Sequence, residues 1–150
     1  MAIEKERKFL LEVGFYPKDL IFHVREIEQF YLFIGKNDQL RIRVLDNKWA
    51  YIAYKYGQSS LERQEFEYEI PLEDARAMMA LTKISLNKTR HTAKMGNNII
   101  DIDIYPDGLK IVEIEYKDEL NSIPDFCGKE VTGVDEYSNI NIALKNAGNA

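Results

Sequence analysis

Charged residues at every second position are the feature of this sequence that most constrains its fold. The run 39–45 reads Gln-Leu-Arg-Ile-Arg-Val-Leu, and the run 109–116 reads Leu-Lys-Ile-Val-Glu-Ile-Glu-Tyr. Successive side chains of a β-strand point to opposite faces, so this alternation puts charges on one face and aliphatic residues on the other. The pattern is typical of strands with one buried face.

Eight runs rich in Ile, Val, Tyr and Phe share this pattern and predict eight strands. They lie at 3–11, 24–34, 39–45, 49–56, 62–70, 84–92, 98–105 and 109–116. Short polar turns at 35–38, 46–48, 96–98 and 106–108 indicate antiparallel hairpins. Helices are predicted at 71–81, where Pro71 suits the first position, and at about 136–146.

The length of 150 residues suits one domain spanning 1–150. Eight strands with few helices predict a mainly β (α+β) fold, an eight-stranded antiparallel closed β-barrel with peripheral helices. Closure is expected because it removes the exposed edges of a sheet.

Composition narrows the classes of function. Acidic residues exceed basic ones by five and the isoelectric point is about 5.1, which argues against a nucleic-acid-binding protein that relies on overall positive charge. No signal peptide or membrane-spanning run is evident, and a single cysteine, Cys127, suits a reducing compartment. The expectation is therefore a cytoplasmic protein without a membrane partner. His23 and His91 lack the close spacing of a zinc-binding pair.

The charged ladders have two interpretations. On a solvated outer face they need no function, and that is the ordinary reading of any single half-exposed strand. Alternatively, ladders from several strands face one another across the inside of a barrel, and the apolar residues pack outward under the helices. Periodicity does not decide between the two.

The inward interpretation requires nearly equal numbers of positively and negatively charged side chains inside the barrel, because charges removed from water are costly unless they are paired or bind a ligand. The predicted interior has six bases and seven acids: Lys8, Arg41, Arg43, Lys55, Lys88 and Arg90 against Glu4, Glu6, Glu65, Glu67, Asp103, Glu113 and Glu115. Arginine and lysine bind phosphate oxygens, and carboxylates are the hard ligands that Mg²⁺ and Mn²⁺ prefer. The set therefore suits a polyanion together with divalent cations.

Glu4-Lys5-Glu6-Arg7-Lys8 resembles the ExExK signature of the CYTH superfamily, the triphosphate tunnel metalloenzymes. The resemblance continues in the family's order over nearly the whole chain. Its further segments are Gln29–Leu32, Leu40–Arg43, the Lys55 strand, Arg63–Glu67, Lys88–Arg90, Asp103, Val112–Glu115, Glu130–Thr132 and Tyr137–Asn139. The short length is most similar to that of compact bacterial members, several of which resemble inorganic triphosphatases.

The resemblance implies an eight-stranded tunnel and a metal-dependent hydrolase that cleaves the terminal phosphoanhydride of a triphosphate, with Mg²⁺ or Mn²⁺ as cofactor. Substrate phosphates would be held by Lys8, Arg41, Arg43, Lys55, Arg63, Lys88 and Arg90. Metal would be held by Glu4, Glu6, Glu65, Glu67, Asp103, Glu113 and Glu115, and which of Glu65, Glu67 and Glu69 reaches an ion stays open. The catalytic set implied is Glu4, Glu6, Lys8, Lys55 and Lys88.

One segment departs from the family pattern. Asp135-Glu136-Tyr137 stands where family members commonly carry Arg or Lys before the tyrosine, so a basic phosphate contact is not expected there. Turns 95–98 and 106–108 leave little room for a nucleoside-recognising insertion, which favours inorganic tripolyphosphate as the small-molecule substrate. The alternatives are an adenylyl cyclase forming cyclic AMP, a thiamine or nucleoside triphosphatase, and a non-catalytic polyphosphate-binding module. A homodimer is a candidate assembly.

Overall fold

The structure, a computed structural model, describes residues 2–12, 17, 19–57, 62–120 and 122–148. These residues form nine strands and two α-helices. The strands are β1 (Ala2–Leu11), β2 (His23–Ile34), β3 (Asp38–Leu45), β4 (Trp49–Tyr56), β5 (Glu62–Ile70), β6 (Ser85–Met95), β7 (Asn98–Ile104), β8 (Lys110–Glu115) and β9 (Cys127–Glu130). The helices are α1 (Leu72–Met79) and α2 (Asn139–Asn146), and a 3₁₀ turn, Asp135–Tyr137, precedes α2.

All strand pairings are antiparallel and belong to one sheet with the order β5-β4-β3-β2-β6-β7-β8-β1-β9. The predicted count of eight strands is wrong, because β9 adds a short ninth strand beside β1. The order has β5 and β9 at its ends and is not the simple ring of eight that the sequence predicts. The first half of β1 also pairs with β5 over four residue pairs, from Ala2 with Glu65 to Lys5 with Glu62.

The apolar side of the strands packs outward, under the helices and loops. Ile42, Val44 and Ala50 are buried against Ala75 and Met79 of α1. A second cluster joins α2 to the sheet through Tyr31, Leu86, Tyr105, Ile111 and Ala143. A third covers β1, β7 and β8 with residues of the connecting segments. Because the apolar residues are used on this side, the opposite face of the same strands carries the charged ladders.

The predicted strands and first helix are confirmed, with ends that differ by three residues or fewer. The second helix differs from its prediction of 136–146. Ser138 accepts a hydrogen bond from the backbone N–H of Asn141 at 3.1 Å, so α2 begins only after a 3₁₀ turn. Within the described ranges, none of the helices has the length and apolar character needed to cross a membrane.

Candidate active site

A polar cavity of about 600 Å³ lies on the charged face of the sheet. Its charged lining comes from seven strands and two connecting segments, so residues distant in sequence meet there. In the part of the chain that the structure describes, seven bases and seven acids line it: Lys8, Lys36, Arg41, Arg43, Lys55, Arg63 and Arg90 with Glu6, Glu65, Glu67, Asp101, Glu113, Glu115 and Asp135. The inward interpretation of the ladders is therefore correct for these strands.

Arginines of β3 and β6 lie close enough to repel one another at the cavity. The pKa of Arg43 falls to about 10, because burial disfavours its charge and Arg41 and Arg90 repel it. Gln29 holds this guanidinium, accepting hydrogen bonds at its Oε1 from Arg43 Nε at 3.2 Å and Nη2 at 3.0 Å. Three cations held together against their mutual repulsion form a site that an anion would stabilise.

The β3–β5 wall, defined as Arg41, Lys55, Glu65 and Glu67, contains long ion pairs. Arg41 Nη2 lies 3.6 Å from Glu65 Oε1 and 3.5 Å from Glu67 Oε2. Lys55 Nζ lies 3.7 Å from Glu65 Oε2. These distances exceed those of charge-assisted hydrogen bonds, which are about 2.7–2.9 Å. The wall thus presents both signs of charge, and these three ion pairs are longer than direct hydrogen bonds.

The β6–β7 wall, defined as Lys88, Arg90, Asp101 and Asp103, is bonded tightly. Asp103 accepts hydrogen bonds from Arg90 Nε at 2.7 Å, Arg90 Nη2 at 2.8 Å and Lys88 Nζ at 2.7 Å. Burial alone would raise the pKa of Asp103, but Arg90 and Lys88 outweigh it and hold the pKa well below its usual range. The pKa of Lys88 falls to about 7, since burial outweighs the attraction of Asp103.

Glu113 on β8 lies between a cation of β1 and a cation of β6. Its carboxylate lies 3.7 Å from Lys8 Nζ and 3.5 Å from Arg90 Nη2. Burial opposes its charge, but Lys8 and Arg90 lower the pKa of Glu113 to about 2. Glu113 is therefore ionised at neutral pH although its side chain is largely buried.

Eleven of the fourteen residues that the resemblance implied for the site line the cavity. The side chain of Glu4 lies outside the described part of the structure. Lys88 and Asp103 do not line the cavity; their side chains are fully buried and bonded to each other. Lys88 and Arg90 donate to the oxygens of Asp103, so as placed neither Asp103 nor Lys88 faces the cavity.

Several lining residues are absent from the set implied by the resemblance. Lys36 lies in the β2–β3 turn, and Asp101 precedes Asp103 on the same face of β7. The i, i+2 spacing of Asp101 and Asp103 was a signal for Asp101. For Lys36, in a polar turn, and for Asn139, at the start of α2, strand periodicity gives no signal.

The carboxylates of the cavity have the chemistry of a divalent-cation site. Glu6 on β1 lies directly opposite Glu115 on β8, and like charges at opposed positions destabilise a strand pair. A hard cation would offset that repulsion. Among the described residues, no three Asp, Glu, His or Cys side chains are already grouped around one ion position. The donors fit Mg²⁺ or Mn²⁺, but they are engaged with bases.

Comparisons with known proteins agree with this architecture. A model of the CYTH domain matches residues 2–140. An inorganic triphosphatase of Acetivibrio thermocellus is 33% identical over 153 residues, covering 95% of this chain and 94% of the relative.

Two solved structures are similar in fold. The hypothetical protein NE1496 has a TM-score of 0.66 at 26% identity, covering 94% of this chain and 97% of that chain. PH1012 from Pyrococcus horikoshii OT3 has a TM-score of 0.64 at 22% identity, covering 78% and 80%, a likeness that bears on the fold alone. With a family model over residues 2–140 and a relative 33% identical over nearly the whole chain, the protein belongs to the CYTH domain family.

Proposed function

We propose that this protein is a divalent-cation-dependent triphosphatase that hydrolyses the terminal phosphoanhydride of inorganic tripolyphosphate. The observation that carries the proposal is the cavity of about 600 Å³ with seven bases and seven acids among its described lining residues. Membership of the CYTH family and the 33% identity to an inorganic triphosphatase support it.

The bases of the cavity would bind the phosphate chain. Lys8, Arg41, Arg43, Lys55, Arg63 and Arg90 come from five strands, so they can contact an extended anion from several sides. Closure of the sheet into a tunnel belongs to this proposal and is supported by the pairing of β1 with β5. Fixing the substrate in this way supplies much of the catalysis, because phosphoryl transfer depends on positioning and charge neutralisation.

The acids of the cavity would hold the cation and the attacking water. Glu6, Glu65, Glu67, Glu113 and Glu115 provide carboxylate oxygens there, and Glu4 completes the proposed set. When bound, Mg²⁺ or Mn²⁺ would neutralise negative charge on the phosphate oxygens. A carboxylate freed from its base would orient water toward the terminal phosphorus.

Lys88 and Asp103 receive positioning roles in this proposal instead of the catalytic and metal-binding roles implied by the resemblance. Asp103 fixes the Arg90 guanidinium through two hydrogen bonds of 2.7 and 2.8 Å. Arg90 Nη1 lies 3.4 Å from Asp101 Oδ2, at the cavity. The direction of this guanidinium is therefore set from behind by a buried carboxylate.

Orthophosphate release from tripolyphosphate, ATP, GTP and thiamine triphosphate, each with Mg²⁺ or Mn²⁺, tests the proposal. We expect release from tripolyphosphate to have the highest kcat/KM and to require the cation. Arg76→Gln is a control for arginine substitutions at the site, because Arg76 on α1 pairs with Glu28 on β2, away from the cavity. The absence of orthophosphate from every substrate would refute the hydrolase. Cyclic AMP from ATP would indicate a cyclase, and binding without turnover a binding module.

A further inference from the structure

The first turn of α2 lies at the cavity. Ser138, Asn139 and Ile140 line the cavity, and α2 begins at Asn139. The first N–H groups of a helix have no partner within the helix. Ser138 Oγ accepts from the N–H of Asn141, whereas the backbone N–H groups of Asn139 and Ile140 have no acceptor among the described residues. Two unused donors, at the positive end of the helix, are therefore next to the cavity.

The side chain of Asn139 adds a third donor. Its Oδ1 accepts from Tyr105 Oη at 2.6 Å and lies 3.4 Å from Lys88 Nζ. In this orientation the amide oxygen faces Tyr105 and Lys88 and the Nδ2 group points away from both. The Nδ2 group makes no hydrogen bond with any described residue. It remains available to an acceptor in the cavity.

Arg41 gives an independent indication that an acceptor belongs in this cavity. Its side chain is 4% exposed, yet its buried Nε has no hydrogen-bond acceptor within the described chain. Arg41 pairs in register with Tyr31, which packs in the same cluster as Ile140 and Tyr105. A buried guanidinium donor without an acceptor is costly, and an anion would satisfy it.

We propose that Asn139 Nδ2 and the backbone N–H groups of Asn139 and Ile140 form a neutral subsite for one phosphoryl group of the substrate. The subsite rests on the proposed function and deepens it. A phosphoryl group carries several acceptor oxygens and no donor at high pH, which matches a set composed of donors alone. The C-terminal segment thus contacts phosphate through neutral donors, although Asp135 and Glu136 supply no basic side chain.

The subsite is tested by comparing Asn139→Asp with Asn141→Asp in calorimetric titrations with tripolyphosphate, without divalent cation. Asn139→Asp keeps the oxygen that faces Tyr105 and Lys88 but replaces the Nδ2 donor with an acceptor. Asn141→Asp adds the same charge to the same helix turn, and Asn141 does not line the cavity; its Nδ2 donates to the Asp135 carbonyl. We expect Kd to rise about tenfold more for Asn139→Asp than for Asn141→Asp.

Equal weakening by both variants, or no weakening by Asn139→Asp, would overturn the subsite while leaving the proposed function intact. Failure of the wild-type protein to bind tripolyphosphate would overturn both.

A second measurement uses the wild-type protein, so it does not depend on the folding of a variant. In ¹H–¹⁵N spectra, we expect tripolyphosphate to shift the Asn139 side-chain amide and the backbone amides of Asn139 and Ile140. The side-chain amide of Asn141 should move less. If the Arg41 Nε–H resonance shifts while all three Asn139 and Ile140 signals stay in place, the phosphate binds elsewhere in the cavity and the subsite is wrong.

Discussion

The two walls of the cavity contain similar charges held in opposite ways. In the β6–β7 wall, Asp103 binds Lys88 and Arg90 at 2.7–2.8 Å, and Lys88 and Asp103 have no exposed side-chain surface. In the β3–β5 wall, the ion pairs of Arg41 measure 3.5–3.6 Å, and Glu67 keeps 38% of its side-chain surface exposed.

The difference distinguishes ion pairs that are fixed from ion pairs that can exchange partners. Short, buried, bidentate pairs are costly to break, because a lone charge would remain in a low-dielectric interior. The ion pairs of Arg41 in the β3–β5 wall are longer, and Glu67 is partly exposed, so less energy is lost when they separate. We infer that the β6–β7 wall keeps its geometry while the bases of the β3–β5 wall can release their carboxylates to phosphate.

The largest expected effect is the loss of the buried carboxylate in the β6–β7 wall. Asp103→Asn removes the buried carboxylate that is bonded to Lys88 and Arg90 and leaves Arg90 only its longer pairs with Asp101 and Glu113, so the free energy of unfolding should fall by about 3–5 kcal/mol. Urea denaturation at pH 7 measures it. Glu67→Gln, in the exposed part of the β3–β5 wall, is the matched control and should change it by less than about 1 kcal/mol. Equal effects would remove the distinction between the walls.

The next effect concerns activity. Arg41→Gln should lower kcat/KM for tripolyphosphate by about 10²–10³-fold, because it removes a donor that is 4% exposed at the phosphate site. The free energy of unfolding should fall less than for Asp103→Asn, because the ion pairs of Arg41 are longer and their loss is partly offset by relief of the repulsion on Arg43. Steady-state kinetics and urea denaturation measure the two quantities. A collapse in stability without a specific loss of activity would mean that the β3–β5 wall is structural.

Acid should weaken the fold through Glu113, which lies between the walls. Its pKa is about 2 in the folded protein and about 4.5 in the unfolded chain, so its stabilisation is complete above about pH 4.5 and is lost as the pH falls toward 2. The contribution is on the order of 3 kcal/mol. Glu113→Gln should therefore flatten the fall of unfolding free energy between pH 4.5 and 2, and an unchanged slope would contradict the assignment.

The smallest effect lies outside both walls. Arg7 on β1 donates to Glu130 on β9 at 2.6 and 2.8 Å, but both side chains are partly exposed. Glu130→Gln should cost less than about 1 kcal/mol and leave turnover of tripolyphosphate unchanged. Thermal denaturation and phosphate release measure the two quantities. A large loss of activity would mean that β9 shapes the cavity.

Strand periodicity was enough to find the strands and the face on which Arg41, Arg43, Glu65 and Glu67 lie, because alternation fixes the direction of each side chain. How deeply each charged side chain is buried was not predictable in the same way. Asp101 and Asp103 share a face, yet Asp103 is enclosed by Lys88 and Arg90 and Asp101 reaches the cavity. That outcome depends on cross-strand neighbours that are distant in sequence.

Short elements also escaped prediction, for local reasons. The four residues of β9, Cys-Gly-Lys-Glu, contain no apolar alternation, and pairing with β1 makes them a strand. The run 136–146 had a helical pattern, but the Ser138 cap delays α2 until Asn139. With this start, the first turn of α2 lies at the cavity.

The central claim is that the bases and acids around this cavity exchange their ion pairs for substrate and cation and so hydrolyse a terminal phosphoanhydride. Phosphorus-31 spectra of tripolyphosphate with the wild-type protein and Mg²⁺ or Mn²⁺ test this claim most directly. The account predicts that tripolyphosphate and water give pyrophosphate and orthophosphate in equal amounts, and that Arg41→Gln nearly abolishes the reaction while Arg76→Gln does not. Unchanged tripolyphosphate with every cation, or equal rates for wild type and Arg41→Gln, would contradict it.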